Sequence, residues 1–249
     1  MRWKMETVAA TVLLMGLLGC APALLANAGV IPDPALAAQV EKRLRDANFD
    51  SVGVTVNAGI ADLTGTVDRL SKVERAVEIA RKTKGLAGVK NDITVASEQT
   101  DEQIAQAITH EIRMYPFYDI FDWVQGEVNS GVVTLSGQVR LPQRKNDYAN
   151  LASQVRGVKM VKNELEVLPL SSFDDQIRLR LARAIYGTAA IGTRYGFQAQ
   201  PAIHIIVKDG NVTLKGVVAN QLDKQLIESR ARTAGLYFSL DDQLRLATA

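Results

Sequence analysis

The chain has 249 residues, 47 % hydrophobic and 22 % charged, a globular usage that excludes a disordered or low-complexity protein. A formal net charge of +2 is too small to point to nucleic acid. One cysteine and two histidines leave little for a metal or thiol enzyme, so neither cofactor nor nucleic-acid partner is expected.

The first segment reads as an export signal spanning residues 1–28. Arg2 and Lys4 give a positive start, and Val8 to Leu18 is an apolar run of signal-peptide length. Pro22 and Asn27 interrupt it before the roughly 20 apolar residues that a membrane span needs. Two cleavage readings stand open. Leu17 to Cys20 resembles a lipobox, after which Cys20 would carry lipid. Ala26 to Ala28 fits ordinary small-x-small cleavage, giving a mature chain from Gly29. Either way the folded part contains no cysteine, and its stability has to come from its cores.

The rest is an array. Gly131, Thr134, Leu135, Gly137 and Val139 punctuate a short strand, and the pattern recurs twice. It appears at Gly59 to Val67, 131 − 59 = 72 positions earlier, and at Gly210 to Val218, 210 − 131 = 79 later. Between the first two copies the register holds without a gap, from Leu36/Ile108 through Phe49/Phe121 to Val95/Val167. Domains are therefore expected at 33–97, 101–168 and 173–247.

In copy one, Asp33 and Pro34 open a helix, and Leu36, Val40 and Leu44 give it one apolar face. Val52, Val54 and Val56 alternate as a strand, Gly59 turns it, and Ile60 to Val67 returns. Val73, Ala76, Val77 and Ala80 mark a second helix closed by Gly85, and Val89, Ile93 and Val95 a third strand. The fold class predicted is α+β: three tandem small domains, each helix-strand-strand-helix-strand, with two helices packed on one face of a three-stranded sheet.

Copy two repeats this with Ile104, Ile108 and Ile112 on its first helix. It adds an aromatic stretch in which Phe121 is expected in the core, while Tyr115 and Phe117 flank Pro116 in an exposed loop. Copy three follows a short linker. Its first helix has Ile177, Leu181 and Ile185 inward and Arg178, Arg180 and Arg183 on the other positions. Tyr186 to Pro201 is expected to be a lengthened loop bearing Arg194, Tyr195 and Phe197. The end of copy three is the least faithful to the pattern, as a terminal copy often is.

The pattern Gly-x-Val-Thr-Leu-x-Gly-x-Val, then a helix, then Gly-Val-x-x-Val-x-Asn-x-Leu-x-Val, resembles the BON domain family (bacterial OsmY and nodulation) over about residues 33 to 246. Copy two matches through Gly131 to Val139 and Gly157 to Val167; copy one carries Ala61 and Asp62 in place of Val-Thr. The resemblance implies an exported envelope protein with this helix and strand order, linked to phospholipid binding, osmotic protection and outer-membrane biogenesis. It implies no catalytic residues.

The residues themselves add no enzyme constellation. His110 sits on a helix flank, and His204 alternates outward from a strand between Ile203 and Ile205. Charge gives a lead. Copy three has ten Lys and Arg against seven Asp and Glu, 10 − 7 = +3, while copy two has 7 − 9 = −2. Arg178, Arg180, Arg183 and Arg194, with Tyr186, Tyr195 and Phe197, are therefore the candidate contacts to an anionic phospholipid or membrane surface. Tyr115 and Phe117 are a secondary membrane candidate. The alternative expectation is a periplasmic chaperone or scaffold that binds envelope proteins at sheet edges.

Overall fold

The computed structural model of the protein describes residues 31–196 and 201–247. The expected export signal, Cys20 and Phe197 lie outside the described residues.

Copy one runs α1 (Asp33–Asp46), β1 (Val52–Asn57), β2 (Ile60–Val67), α2 (Leu70–Arg81) and β3 (Gly88–Val95). Copy two runs α3 (Asp101–Met114), β4 (Trp123–Asn129), β5 (Val132–Val139), α4 (Pro142–Ser153), β6 (Met160–Asn163) and β7 (Glu166–Val167). Copy three runs α5 (Ser172–Tyr186), α6 (Ala189–Tyr195), β8 (Ile203–Lys208), β9 (Asn211–Val218), α7 (Gln221–Thr233) and β10 (Ser239–Leu246).

In each sheet the second strand is central, antiparallel to the first and parallel to the third. The predicted α+β order holds in all three copies. The parallel register is also constant: Ile60 pairs with Gly88, Val132 with Met160 and Asn211 with Ser239, an offset of 28 each time (88 − 60, 160 − 132, 239 − 211). Copy two keeps that offset across the break at Glu164 and Leu165, since Gln138 pairs with Glu166. The last strand of copy three, unfaithful in sequence, pairs along its whole length from Ser239 to Leu246.

One polar device recurs. Each two-residue hairpin turn needs positive φ at both positions, and these are Ala58–Gly59, Ser130–Gly131 and Asp209–Gly210. An aspartate from the first helical turn of the same copy accepts both turn N–H groups. Asp33 does so at 2.8 and 2.9 Å, Asp101 at 2.6 and 2.9 Å, and Asp174 at 3.0 and 2.8 Å. Asp174 is fully buried in this role, which ties helix start to hairpin and thereby fixes the layer spacing. The glycines inside the central strands serve a different need. A Cβ at Gly65, Gly137 or Gly216 would lie 2.1, 2.0 or 2.0 Å from a carbonyl oxygen of the adjoining strand's start.

Each copy has its own core between sheet and helices. What varies is the connection from first helix to first strand: residues 47–51, 115–122 and 187–202. In copy two this connection leaves its own domain. Ile120 and Phe121 pack against the core of copy three, and Ile120 accepts a hydrogen bond from Ile205 N at 2.7 Å. Phe121, expected in its own core like Phe49, is corrected to a bridge between copies. In copy three the connection contains α6, where the sequence predicts only loop.

Copies one and two meet through Leu70, which packs on the core of copy two, and through polar groups. Gly157 N donates to Asp68 O at 2.8 Å, Arg69 Nη1 donates to Gln154 O at 3.0 Å, and Arg156 pairs with Asp68 at 3.4 Å. The hydrogen bond from Arg69, with that from Lys72, holds the Asp68 carboxyl down at about 2 against the opposing effect of burial.

Candidate functional site

The candidate residues of copy three begin on α5, where a 3.6-residue period sorts them. Ile177, Leu181 and Ile185 face the core, and Arg178 turns in with them, 2 % exposed. Its Nη2 donates to Val207 O at 2.6 Å and its Nη1 to Asp175 at 2.7 Å. The expectation that it stands on a solvent-facing basic stripe is corrected: Arg178 is a strut between α5 and β8. Arg180 and Arg183 are exposed, and among the described residues neither makes an ion pair. Phe173, Arg180 and Arg183, spaced i, i+7 and i+10, share that outward stripe, with Leu179 exposed beside it.

The expected aromatic loop folds back instead. Tyr186 donates to Ile203 O at 2.7 Å. Tyr195, buried at the end of α6, donates to Asp223 at 2.6 Å and accepts from Ala219 N at 2.8 Å. Arg194 is exposed but pairs with the same Asp223. Burial would raise the Asp223 carboxyl, yet the hydrogen bonds from Tyr195 and Arg194 hold it below its usual value. These three residues therefore staple α6 to the start of α7 and do not stand together as a free loop. Between α5, α6 and the copy-two connection lies a cavity of about 540 Å³, with Ile120, Ala182, Tyr186, Ala189, Tyr195 and Pro201 in its wall. No charged side chain lines it among the described residues. Such a wall suits hydrocarbon, and the Tyr186 and Tyr195 hydroxyls beside it are engaged with Ile203 O and Asp223.

The secondary pair also divides. Tyr115 donates to Asp147 at 2.5 Å and stacks edge-on against Tyr148, so its hydroxyl is engaged. Phe117 projects, 64 % exposed.

A second polar cluster lies under the junction of copies two and three. Buried Asp122 accepts from Arg140 N at 2.8 Å, from Arg144 Nη1 at 2.5 Å and from the Tyr148 hydroxyl at 3.1 Å. Burial pushes the Asp122 carboxyl up against those donors. The His204 side chain, expected to face outward, is 2 % exposed because copy two covers that face. Its ring lies 5.4 Å from Tyr118 and 5.0 Å from Trp123, centroid to centroid. Nε2 is 3.4 Å from the Tyr118 hydroxyl, and Nδ1 is buried with no hydrogen-bond partner. Burial pulls the ring down to about 4, although the carbonyls of Asp122 and Pro201 and the carboxylate of Asp119 act the other way. His204 is thus a neutral packing element. His110 is exposed on α3.

Among the described residues no group of three or more His, Asp or Glu is placed to hold a metal, and no helix is long and apolar enough to cross a membrane. The sequence pattern misses one apolar group, Phe238 with Leu236 after α7. The signal for it exists: Ala87, Lys159 and Phe238 hold one structural position, each donating its N–H to the turn-glycine carbonyl 28 residues earlier, and only copy three puts an aromatic there.

Comparison with known proteins gives three results. The BON domain model matches residues 32–97, 100–169 and 174–247. An uncharacterised protein in the gshII 5′ region of Anaplasma centrale is 31 % identical over 139 residues, covering 53 % of this chain and 91 % of that protein. Two solved structures align over much of the chain. CdsD, a structural protein of the type III secretion system of Chlamydia trachomatis, is 16 % identical, with 86 % of this chain and 93 % of that chain covered and a TM-score of 0.23. The periplasmic domain of the inner membrane protein PrgH from S. typhimurium is 9 % identical, with 82 % and 98 % covered and a TM-score of 0.19.

Proposed function

Because the chain belongs to the BON domain family, we propose that it is an exported, non-enzymatic protein of the cell envelope whose third copy binds an anionic phospholipid surface and so supports envelope integrity. The family match, the leader of signal-peptide pattern and the basic balance of copy three support this reading. The observation that carries it is the outward stripe of α5, where Arg180 and Arg183 remain exposed and unpaired among the described residues while Arg178 and Arg194 are engaged elsewhere. Leu179, half exposed next to them, adds apolar contact at the same surface. Cations near an anionic membrane gain about 1 kcal/mol each, and salt weakens that gain.

The test is co-sedimentation of the chain from Gly29, which retains every described residue, with phosphatidylglycerol-containing and with purely phosphatidylcholine vesicles at low and high salt. Binding should need the anionic lipid and fall with salt. Arg180→Glu with Arg183→Glu should weaken it by about 30-fold or more, the equivalent of two lost contacts. Equal binding to neutral vesicles would remove the electrostatic basis. Absence of binding under all conditions would move the reading to a scaffold for protein partners.

A further inference from the structure

The three copies differ at one end. At the hairpin-turn end of each, a residue with positive φ stands two positions before the shared position of Ala87, Lys159 and Phe238: Gly85 and Gly157 in the first two copies, Leu236 in the third. In copy one a Cβ at Gly85 would meet Leu36 and Ile31 at 3.1 and 3.2 Å, so the lead-in segment covers this end. In copy two Gly157 donates its N–H to Asp68 of copy one, and its Cβ position lies 3.0 Å from Ser97, so the preceding copy and linker cover it. In copy three the corresponding residue is Leu236, at φ 68°, and its side chain stands exposed. The end left open there is also the apolar one. Phe238 is 77 % exposed, Leu236 59 % and Phe173 42 %, and the two phenylalanine rings pack 5.9 Å apart over Gly210.

We propose that this end of copy three inserts into the acyl layer of an anionic bilayer, with Phe173 and Phe238 as its tip. The inference rests on the lipid-surface reading and specifies how that surface is engaged. Two aromatic side chains projecting from one end of a domain, on a helix start and a loop, are a shape for penetrating a soft apolar phase. The surrounding charge selects the phase. Phe173 begins the stripe that continues to Arg180 and Arg183, and Arg230 stands exposed in the last turn of α7 ahead of Leu236, with no ion-pair partner among the described residues. An end with phenylalanine at its tip and arginine on its flanks matches the order of a bilayer, acyl chains within and phosphates around. A second copy of this chain docked two-fold on the same end would bring those arginines towards one another. The Asp68 loop that covers the equivalent end of copy two is already engaged within its own chain.

The sequence makes the test direct, because Cys20 is its only cysteine and a chain from Gly29 carries no thiol. Phe238→Cys, labelled with an environment-sensitive fluorophore, reports on the tip, and Gln106→Cys on the exposed side of α3 serves as control. Phosphatidylglycerol-containing vesicles are added with and without acyl-brominated lipid. The expected result is a blue shift and bromolipid quenching at position 238 and neither at 106. Phe173→Ser with Phe238→Ser should lower vesicle association by roughly tenfold or more. Vesicle association with no shift at 238 would overturn insertion while leaving the lipid-surface reading intact. Absence of association would overturn both. A shift that grows with protein concentration in the absence of vesicles would identify the end as a contact between copies and overturn insertion.

Discussion

Lowering the pH from 7 to 5 should loosen the junction between copies two and three through His204. The ring is buried between Tyr118 and Trp123, Nδ1 lacks a partner, and burial depresses its pKa from 6.5 to about 4. A folded-state value below the unfolded one means that the unfolded chain binds the proton first. The stabilisation is therefore fully present above pH 6.5, is lost as the pH falls towards 4, and levels off below that. The full loss is about 3 kcal/mol, and the loss between pH 7 and pH 5 about 2 kcal/mol. Asp122 titrates with the opposite sign, since its raised carboxyl binds a proton more readily when folded. The comparison with His204→Gln isolates the histidine. In a chain from Gly29, Trp123 is the only tryptophan and touches the ring in question, so urea unfolding followed by its emission reads the junction directly. The reasoning is refuted if the transition free energy changes by less than about 0.5 kcal/mol over this range, or if His204→Gln keeps the same pH slope.

Three further outcomes follow from packing and charge. Gly137→Ala would place a Cβ 2.0 Å from Trp123 O, with φ at 120°, and should cost copy two about 3 kcal/mol or more. Gly235→Ala, at φ 64° with open space around it, should cost only about 1 kcal/mol. Thermal melts of the two variants side by side test that contrast. Asp122→Ala strips the Tyr148 hydroxyl and Arg140 N of their buried acceptor and leaves Arg144 only Asp119, 2.8 Å from Nη1, and should destabilise copy two by about 2–3 kcal/mol in denaturant titration. Asp101→Ala removes both bonds to the turn at Ser130 and Gly131, with an expected loss of about 2–3 kcal/mol and faster amide exchange at those two positions.

The repeat and the order of elements were legible because they are local signals. Leu36, Val40 and Leu44 announce a helix face, the spacing of Gly59 and Gly65 recurs in both other copies, and that of Gly85 recurs in copy two. The features that stayed hidden depend on distant partners. Arg178 sits at a position that reads as solvent-facing until Val207, 29 residues away, supplies a carbonyl. His204 alternates outward in its strand, and only the packing of copy two makes that side an interior. Phe121 matches Phe49 in sequence, but the longer connection around it carries it into the next domain. The helix α6 spans seven residues, too short for any apolar period to show. Of the candidate lipid contacts, the charge count found Arg180 and Arg183, whereas Phe238 and Leu236 needed the register of the third strand.

The constant offset of 28 beside the variable first connection divides each copy into a part that tolerates added residues and a part that does not. One residue inserted between the second helix and the third strand would turn every side chain of that strand to the opposite face. The connection from first helix to first strand has already accommodated five, eight and sixteen residues (47–51, 115–122, 187–202) on an unchanged frame. It is therefore where a copy gains new contacts without re-registering its own sheet: in copy two the added residues carry Ile120 and Phe121 to copy three, and in copy three they include α6.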